Sequence, residues 1–141
     1  MIGTVVVCHG HLAEEILKAA ELVVGHLENT VAVSINSQDN PESGRAKIAA
    51  ALEAVDKGEG AIILTDMFGG TSSNLSLSFL GERKVEVVSG VNLPMLIKLP
   101  FYPGSGNLRE MAEFIREYGQ KHISVASSLL SRKKEEGKGT S

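Results

Sequence analysis

Four short runs rich in β-branched residues recur along this chain, and each is followed by a stretch of helical period. Ile2 to Cys8, Thr30 to Ile35, Ala61 to Thr65 and Val85 to Ser89 are largely apolar, the pattern of strands covered on both faces. After the first, Leu12, Ile16, Ala19, Ala20 and Val23 repeat at helical spacing and stop at Gly25. After the second, Asn40-Pro41 supplies an N-cap and a first-turn proline. The helix that follows carries Arg45, Ile48, Ala49, Leu52 and Val55 on one side and ends near Lys57-Gly58. The loop from Met67 to Ser72 leads into a shorter helix ending near Gly81, and Asn92-Leu93-Pro94 and Asn107 open two more. Ile123 to Ala126 reads as a short fifth strand.

Strands separated by helices specify parallel βαβ units, whose right-handed crossovers place helices on both faces of the sheet. The expected fold is therefore an α/β three-layer sandwich with a mainly parallel, doubly wound sheet in the order 2-1-3-4. A chain of 141 residues builds one domain with a full core. That domain is expected over residues 1–130. The closing segment KKEEGKGTS has no apolar period, so residues 131–141 are expected to form a flexible charged tail.

Charge narrows the function classes. A net charge of −3 provides no basic surplus to displace counterions from nucleic acid. The run Arg132-Lys133-Lys134 is followed at once by Glu135-Glu136, a solvated pattern rather than a binding patch. With a single cysteine, Cys8, neither an internal disulfide nor a thiolate zinc set is available. The N-terminus lacks the basic region and cleavage site of a signal peptide. No apolar run reaches the roughly 20 residues that span a bilayer; the longest candidate, Leu93 to Phe101, is interrupted by Pro94, Lys98 and Pro100. The chain is expected to be cytoplasmic.

In an open doubly wound sheet, ligands bind beyond the carboxyl ends of the strands where the winding reverses. With order 2-1-3-4, the first and third strands flank that point. The first ends in Cys8-His9-Gly10-His11 and the third in Thr65-Asp66, so His9 and Asp66 should face one crevice. A carboxylate bonded to Nδ1–H fixes the imidazole tautomer and frees the Nε2 lone pair. Such a histidine is a competent nucleophile toward phosphorus. Gly10 at a helix start, and the Gly69-Gly70-Thr71-Ser72 turn, would offer amides and hydroxyls to phosphoryl oxygens.

Blander roles stand beside these. A strand-end aspartate often only caps a turn, His11 in a first helical turn is usually just exposed, and Cys8 fits a buried inert thiol. His26 and His122 sit near helix ends, where the dipole favours them. Other chemistries fit less well. A metal site would need a fourth ligand beyond His9, His11 and Asp66, and a histidine phosphatase would add an arginine to grip phosphate. Dinucleotide binding would need G-x-G-x-x-G where this chain has C-H-G-H-L-A. A receiver-type Asp66 would need further acidic residues at the first strand's end.

Three segments, VVVCHGHLAEEILKAAELVVG, ILTDMFGGTSSN and VVSGVNLPMLIK, together resemble the IIA component of the mannose family of the bacterial sugar phosphotransferase system. The likeness runs over roughly residues 1–130. It implies a cytoplasmic phosphocarrier without a cofactor or metal, taking phosphate from phospho-HPr and handing it to a IIB component that serves membrane IIC and IID. Carried onto this chain, His9 would be phosphorylated through Nε2 and Asp66 would be its carboxylate partner. Gly10, Gly69 and Gly70 match backbone positions around the phosphate, and Thr71 stands where the family often has serine. The family forms homodimers by exchanging a C-terminal strand, for which Ile123 to Ala126 is the candidate here. Met67-Phe68 and Ser72-Ser73 depart from the best-known members, in which a proline follows the serine. A regulatory phosphoprotein without sugar transport, or a histidine-type phosphatase, are the alternative readings.

Overall fold

A computed structural model describes residues 1–104 and 107–139, with 133–139 as backbone only. Its strands are β1 (Gly3–His9), β2 (Thr30–Ile35), β3 (Ala61–Thr65) and β4 (Val85–Ser89). Its helices are α1 (Leu12–Val24), α2 (Pro41–Val55), α3 (Thr71–Leu77), α4 (Leu93–Lys98), α5 (Leu108–Lys121) and α6 (Ala126–Gly139), with a short 3-10 turn at Leu99–Phe101. The sheet is wholly parallel in the order β2-β1-β3-β4, as the alternation of elements required.

Side chains along a strand point alternately to opposite faces, and β1 divides its valines accordingly. Val6 and Cys8, with Ile62 and Leu64 of β3, pack against Ala13 and Ala20 of α1, Met95 and Leu96 of α4, and Met111 and Ile115 of α5. Val5, Val7 and Ile63 face the other way, onto Ile48, Leu52 and Val55 of α2 and onto Phe79. Val5, Val6 and Val7 are all fully buried. Each such side chain stabilises the fold by about 1.5–3 kcal/mol through removal from water. This double coverage explains the unbroken apolar runs.

Two details differ from the expected pattern. On α1 the buried stripe is Ala13 and Ala20 with Ile16, Leu17 and Val24 partly covered, while Leu12 and Val23 are exposed. Small residues let the helix sit close to the sheet, turning those larger neighbours outward. The second difference is the fifth strand expected at Ile123–Ala126. Residues 123–125 have no regular structure and Ala126 opens α6. A strand exists only when another strand satisfies its backbone groups, and among the described residues none pairs with that segment. Most of the expected flexible tail, 131–141, lies outside the described residues or is described as backbone alone.

The helix starts follow their cap residues. Asn40 accepts from the Ser43 N–H at 2.7 Å while Ser43 Oγ accepts from the Asn40 N–H at 3.0 Å, a reciprocal capping box. Asn92 and Asn107 cap α4 and α5 by a one-way bond, each side chain accepting from the Met95 or Glu110 N–H at 3.1 Å. No side chain caps α1 or α3. Those two uncapped starts lie beyond the carboxyl ends of β1 and β3.

Candidate active site

His9 is the last residue of β1, and Asp66 directly follows β3. Register pairs Val7 with Thr65 across these neighbouring strands, so both residues emerge at the same rim of the sheet. Asp66 Oδ2 accepts twice from one residue: from the His9 backbone N–H at 2.8 Å and from the ring at Nδ1, 2.7 Å away. Asp66 Oδ1 accepts from the Met67 N–H at 3.0 Å. The carboxylate side chain is 12% exposed and the His9 side chain 45%. A mostly covered anion thus holds a ring that still reaches solvent.

Burial alone would raise the Asp66 carboxyl, but the His9 N–H, the His9 ring and the Met67 N–H outweigh it and hold it below the usual carboxylate range. Asp66 is therefore an anion at neutral pH. An anionic acceptor at Nδ1 requires the proton on that nitrogen, leaving a lone pair on Nε2. Nε2 makes no hydrogen bond to the described residues.

Glycines shape the ring's surroundings at two points. Gly10 has φ +60, which takes the chain off β1 and into α1 by way of His11. Gly70 packs on the imidazole so closely that a Cβ there would lie 2.9 Å from His9 Cε1. Neither position accepts a side chain without strain or displacement. Gly69 precedes it and forms the tight turn into α3.

The other residues singled out in the sequence occupy distinct places. Thr71 lines, with His9 and Gly10, a cleft of about 690 Å³ that is completed by Ile35, Asn36, Asp39 and Pro41 among others. Ser72 is fully buried, and its hydroxyl lies 3.3 Å from Nδ1, not beside Nε2. Its hydroxyl thus lies at the ring nitrogen that Asp66 holds, and Ser72 does not line the cleft. His11 points away, with Nδ1 3.9 Å from Glu14 and the side chain 86% exposed. Cys8 is buried, and burial together with the nearby Asp66 charge pushes its thiol up to about 12. Among the described residues, no group of three or more His, Cys, Asp or Glu side chains is arranged to hold a metal ion.

In the sequence the β2–α2 loop, Asn36 to Asn40, shows only a helix start, yet it forms the far wall of the cleft. The signal was available: in the order 2-1-3-4 the carboxyl end of β2 must border that of β1. Asp39 anchors this loop, accepting from the Asn36 N–H at 3.0 Å and from Lys47 Nζ at 2.8 Å. These contacts hold its carboxyl below the usual range, the Asn36 bond first among them.

Fold and site together define a doubly wound α/β domain with a carboxylate-held histidine at its topological switch point. Comparison with known proteins makes this specific. The family described as "PTS system fructose IIA component" matches residues 3–116. The PTS system mannose-specific EIIAB component of Escherichia coli (strain K12) is 34% identical over 98 residues, covering 69% of this chain and 30% of that one. This chain therefore spans less than a third of that curated relative. The PTS system fructose-specific EIIA component of Bacillus subtilis (strain 168) is 24% identical over 135 residues, covering 95% and 92% of the two chains. Among solved structures, the mannose/sorbose specific IIA subunit from Enterococcus faecalis superposes with a TM-score of 0.80 at 29% identity, covering 88% of this chain and 93% of that one. The chain belongs to the mannose family of IIA components of the sugar phosphotransferase system.

Proposed function

We propose that this protein is a cytoplasmic phosphocarrier that accepts a phosphoryl group from phospho-HPr on His9 Nε2 and passes it to a IIB component for sugar uptake through membrane IIC and IID. The observation that carries the reading is the 2.7 Å contact between Asp66 Oδ2 and His9 Nδ1. It leaves the outer nitrogen of a half-exposed ring as the available nucleophile. Nε2 attacks phosphorus, the Nε2–P bond forms as the donor's N–P bond breaks, and the donor imidazole leaves with its electron pair. The Nδ1 proton stays between ring and carboxylate, which offsets the positive charge the ring acquires. On transfer onward the same steps run in reverse, with the IIB nucleophile attacking phosphorus.

Gly10 and Thr71 line the cleft beside His9, Gly70 lies against its ring, and no side chain caps the starts of α1 and α3, so first-turn amides there are placed for phosphoryl oxygens. The Gly10 N–H is spent on the Ile35 carbonyl at 2.8 Å and the Gly69 N–H on Ser73 Oγ at 3.4 Å, so these two glycines shape the turns and do not donate to phosphate. By contrast, the first turn of α2 spends an amide on its own capping box. Among the described residues that line the cleft there is no lysine or arginine. That suits a phosphoryl group held transiently, and weighs against a histidine phosphatase with a cationic grip. No helix among the described residues is long and apolar enough to cross a membrane, in keeping with a carrier that meets its permease from outside the bilayer.

Incubation with Enzyme I, HPr and phosphoenolpyruvate tests this reading. Acid-labile, alkali-stable phosphate is expected on His9 and absent from His9→Ala; label persisting in that variant would rule the assignment out. Onward transfer to a IIB protein then separates transport from a purely regulatory phosphoprotein.

A homodimer is proposed on a separate observation. The outer edge of β4 and the face of α5 border a groove of about 490 Å³ that includes Val87, Ser89, Arg109, Arg116 and Ile123. Ile123, Val125, Leu129 and Leu130 are exposed beside it or beyond it in the chain. An unpaired strand edge next to exposed apolar residues invites a second copy, and the segment 123–126 is the natural strand to exchange. Sedimentation should give a dimer; a monomer would overturn the exchange and leave the chemistry intact.

A further inference from the structure

We propose that Ser72 is a positioning residue for the His9 ring, acting as a second acceptor at Nδ1 beside Asp66. Its effect on transfer rests on the phosphocarrier reading; its effect on the ring does not. Ser72 is the second residue of α3 and is fully buried. Its Oγ lies 3.3 Å from the same nitrogen that Asp66 Oδ2 meets at 2.7 Å. With Asp66 ionised, the Nδ1 proton goes chiefly to the carboxylate, and the serine oxygen accepts it as the longer arm of a forked bond.

Neighbouring contacts fix the helical turn that carries that hydroxyl. Ser76 Oγ donates to the Ser72 carbonyl at 2.6 Å, and the Gly69 N–H donates to Ser73 Oγ at 3.4 Å. All three serines are fully buried. A polar group in the interior costs stability unless it is bonded, and serine is a poorer helix former than alanine. Three of them in two turns of a short helix are accounted for by what they hold: Ser73 the glycine turn, Ser76 the helix backbone, Ser72 the catalytic ring. Gly70 closes a further side of the imidazole. Two acceptors at one ring nitrogen and the Gly70 backbone close to Cε1 resist rotation about the Cβ–Cγ bond, which would swing Nε2 off the cleft. As Nε2 becomes phosphorylated, the Nδ1–H donor becomes more acidic and both acceptors bond it more strongly.

The test compares Ser72→Ala with Ser72→Thr, both keeping Asp66. The first readout is the NMR cross-relaxation between His9 Hε1 and the Gly70 α-protons, which the close packing of that ring carbon on Gly70 makes strong. The second is the rate of phosphoryl uptake from phospho-HPr. Ser72→Ala is expected to weaken the cross-peak in a folded protein and to slow turnover by about 3- to 10-fold, the range for one neutral hydrogen bond, without changing half-saturation by phospho-HPr. Ser72→Thr, which retains the hydroxyl, should keep both. An unchanged cross-peak and rate in Ser72→Ala would overturn the proposal, as would equal loss in both variants. If the wild-type chain takes up no phosphate, the phosphocarrier reading fails, and the cross-peak still decides whether Ser72 seats the ring.

Discussion

Replacing Asp66 by alanine withdraws the acceptor 2.7 Å from Nδ1 and the one 2.8 Å from the His9 N–H. These losses act on different quantities. The backbone bond is present before and during transfer, so its loss appears as stability, on the order of 1 kcal/mol where water can reach the vacated site. The ring bond strengthens as the imidazole gains charge, so its loss appears in the barrier. A charge-assisted hydrogen bond contributes about 1.5–3 kcal/mol, and the carboxylate is only 12% exposed, which favours the upper half of that range. Uptake of phosphate should therefore slow by about 10²-fold. Asp66→Asn keeps an acceptor of similar shape without the charge and should fall between alanine and wild type. The assay is the initial rate of acid-labile label transferred from phospho-HPr to His9, with circular dichroism confirming the fold. A folded Asp66→Ala variant phosphorylated at the wild-type rate would refute the argument that this carboxylate prepares the nucleophile.

Gly70→Ala places a Cβ 2.9 Å from His9 Cε1, so the ring must move; transfer should drop by at least about 10-fold while the melting temperature changes little, and an unaltered rate would show the ring's seat to be unimportant. Cys8, with its thiol pushed up to about 12, should react with iodoacetamide at pH 8 about 10³-fold more slowly than in the urea-unfolded chain, because so little thiolate is present. Asp66, Asp39 and Asp56 all have carboxyls held below the usual range; for Asp56 the Gly58 and Gly60 N–H groups are the main cause. Each contributes stability that is complete well above the unfolded value of about 4 and is lost as pH falls through its lower folded value. The urea midpoint should accordingly hold from pH 7 to about 5 and fall below about 4, and Asp56→Asn should flatten that fall. An equal slope in the variant would remove Asp56 from the explanation.

Much of the architecture was legible because it depends on patterns that survive without three-dimensional detail. Unbroken runs such as Ile62-Ile63-Leu64 can be satisfied only between two covering layers, and Asn40-Pro41, Asn92 and Asn107 announce helix starts through bonds to neighbours three residues away. The prospect of His9 meeting Asp66 followed from strand order alone. The α1 face was harder to read, since Leu12, Leu22 and Val23 are apolar yet exposed, and only close seating by Ala13 and Ala20 explains why. The segment at Ile123 resembled a strand because its residues favour one, but a strand needs a partner that local preference does not supply.

The amino-acid order determined which residues would be buried on both faces, where each helix would begin, and that a histidine and an aspartate would end neighbouring strands. Those outcomes rest on local bonding and on the solvent's rejection of apolar surface, both written along the chain. Tertiary structure alone decided that one carboxylate oxygen meets both the His9 amide and its ring, that Gly70 packs close against the imidazole, and that Ser72 turns inward to Nδ1 instead of outward to the cleft. These are matters of fractions of an ångström between residues 57 and 63 positions apart. They are settled only when α3 docks beneath β1 and the packing of the whole domain leaves each side chain one place to go.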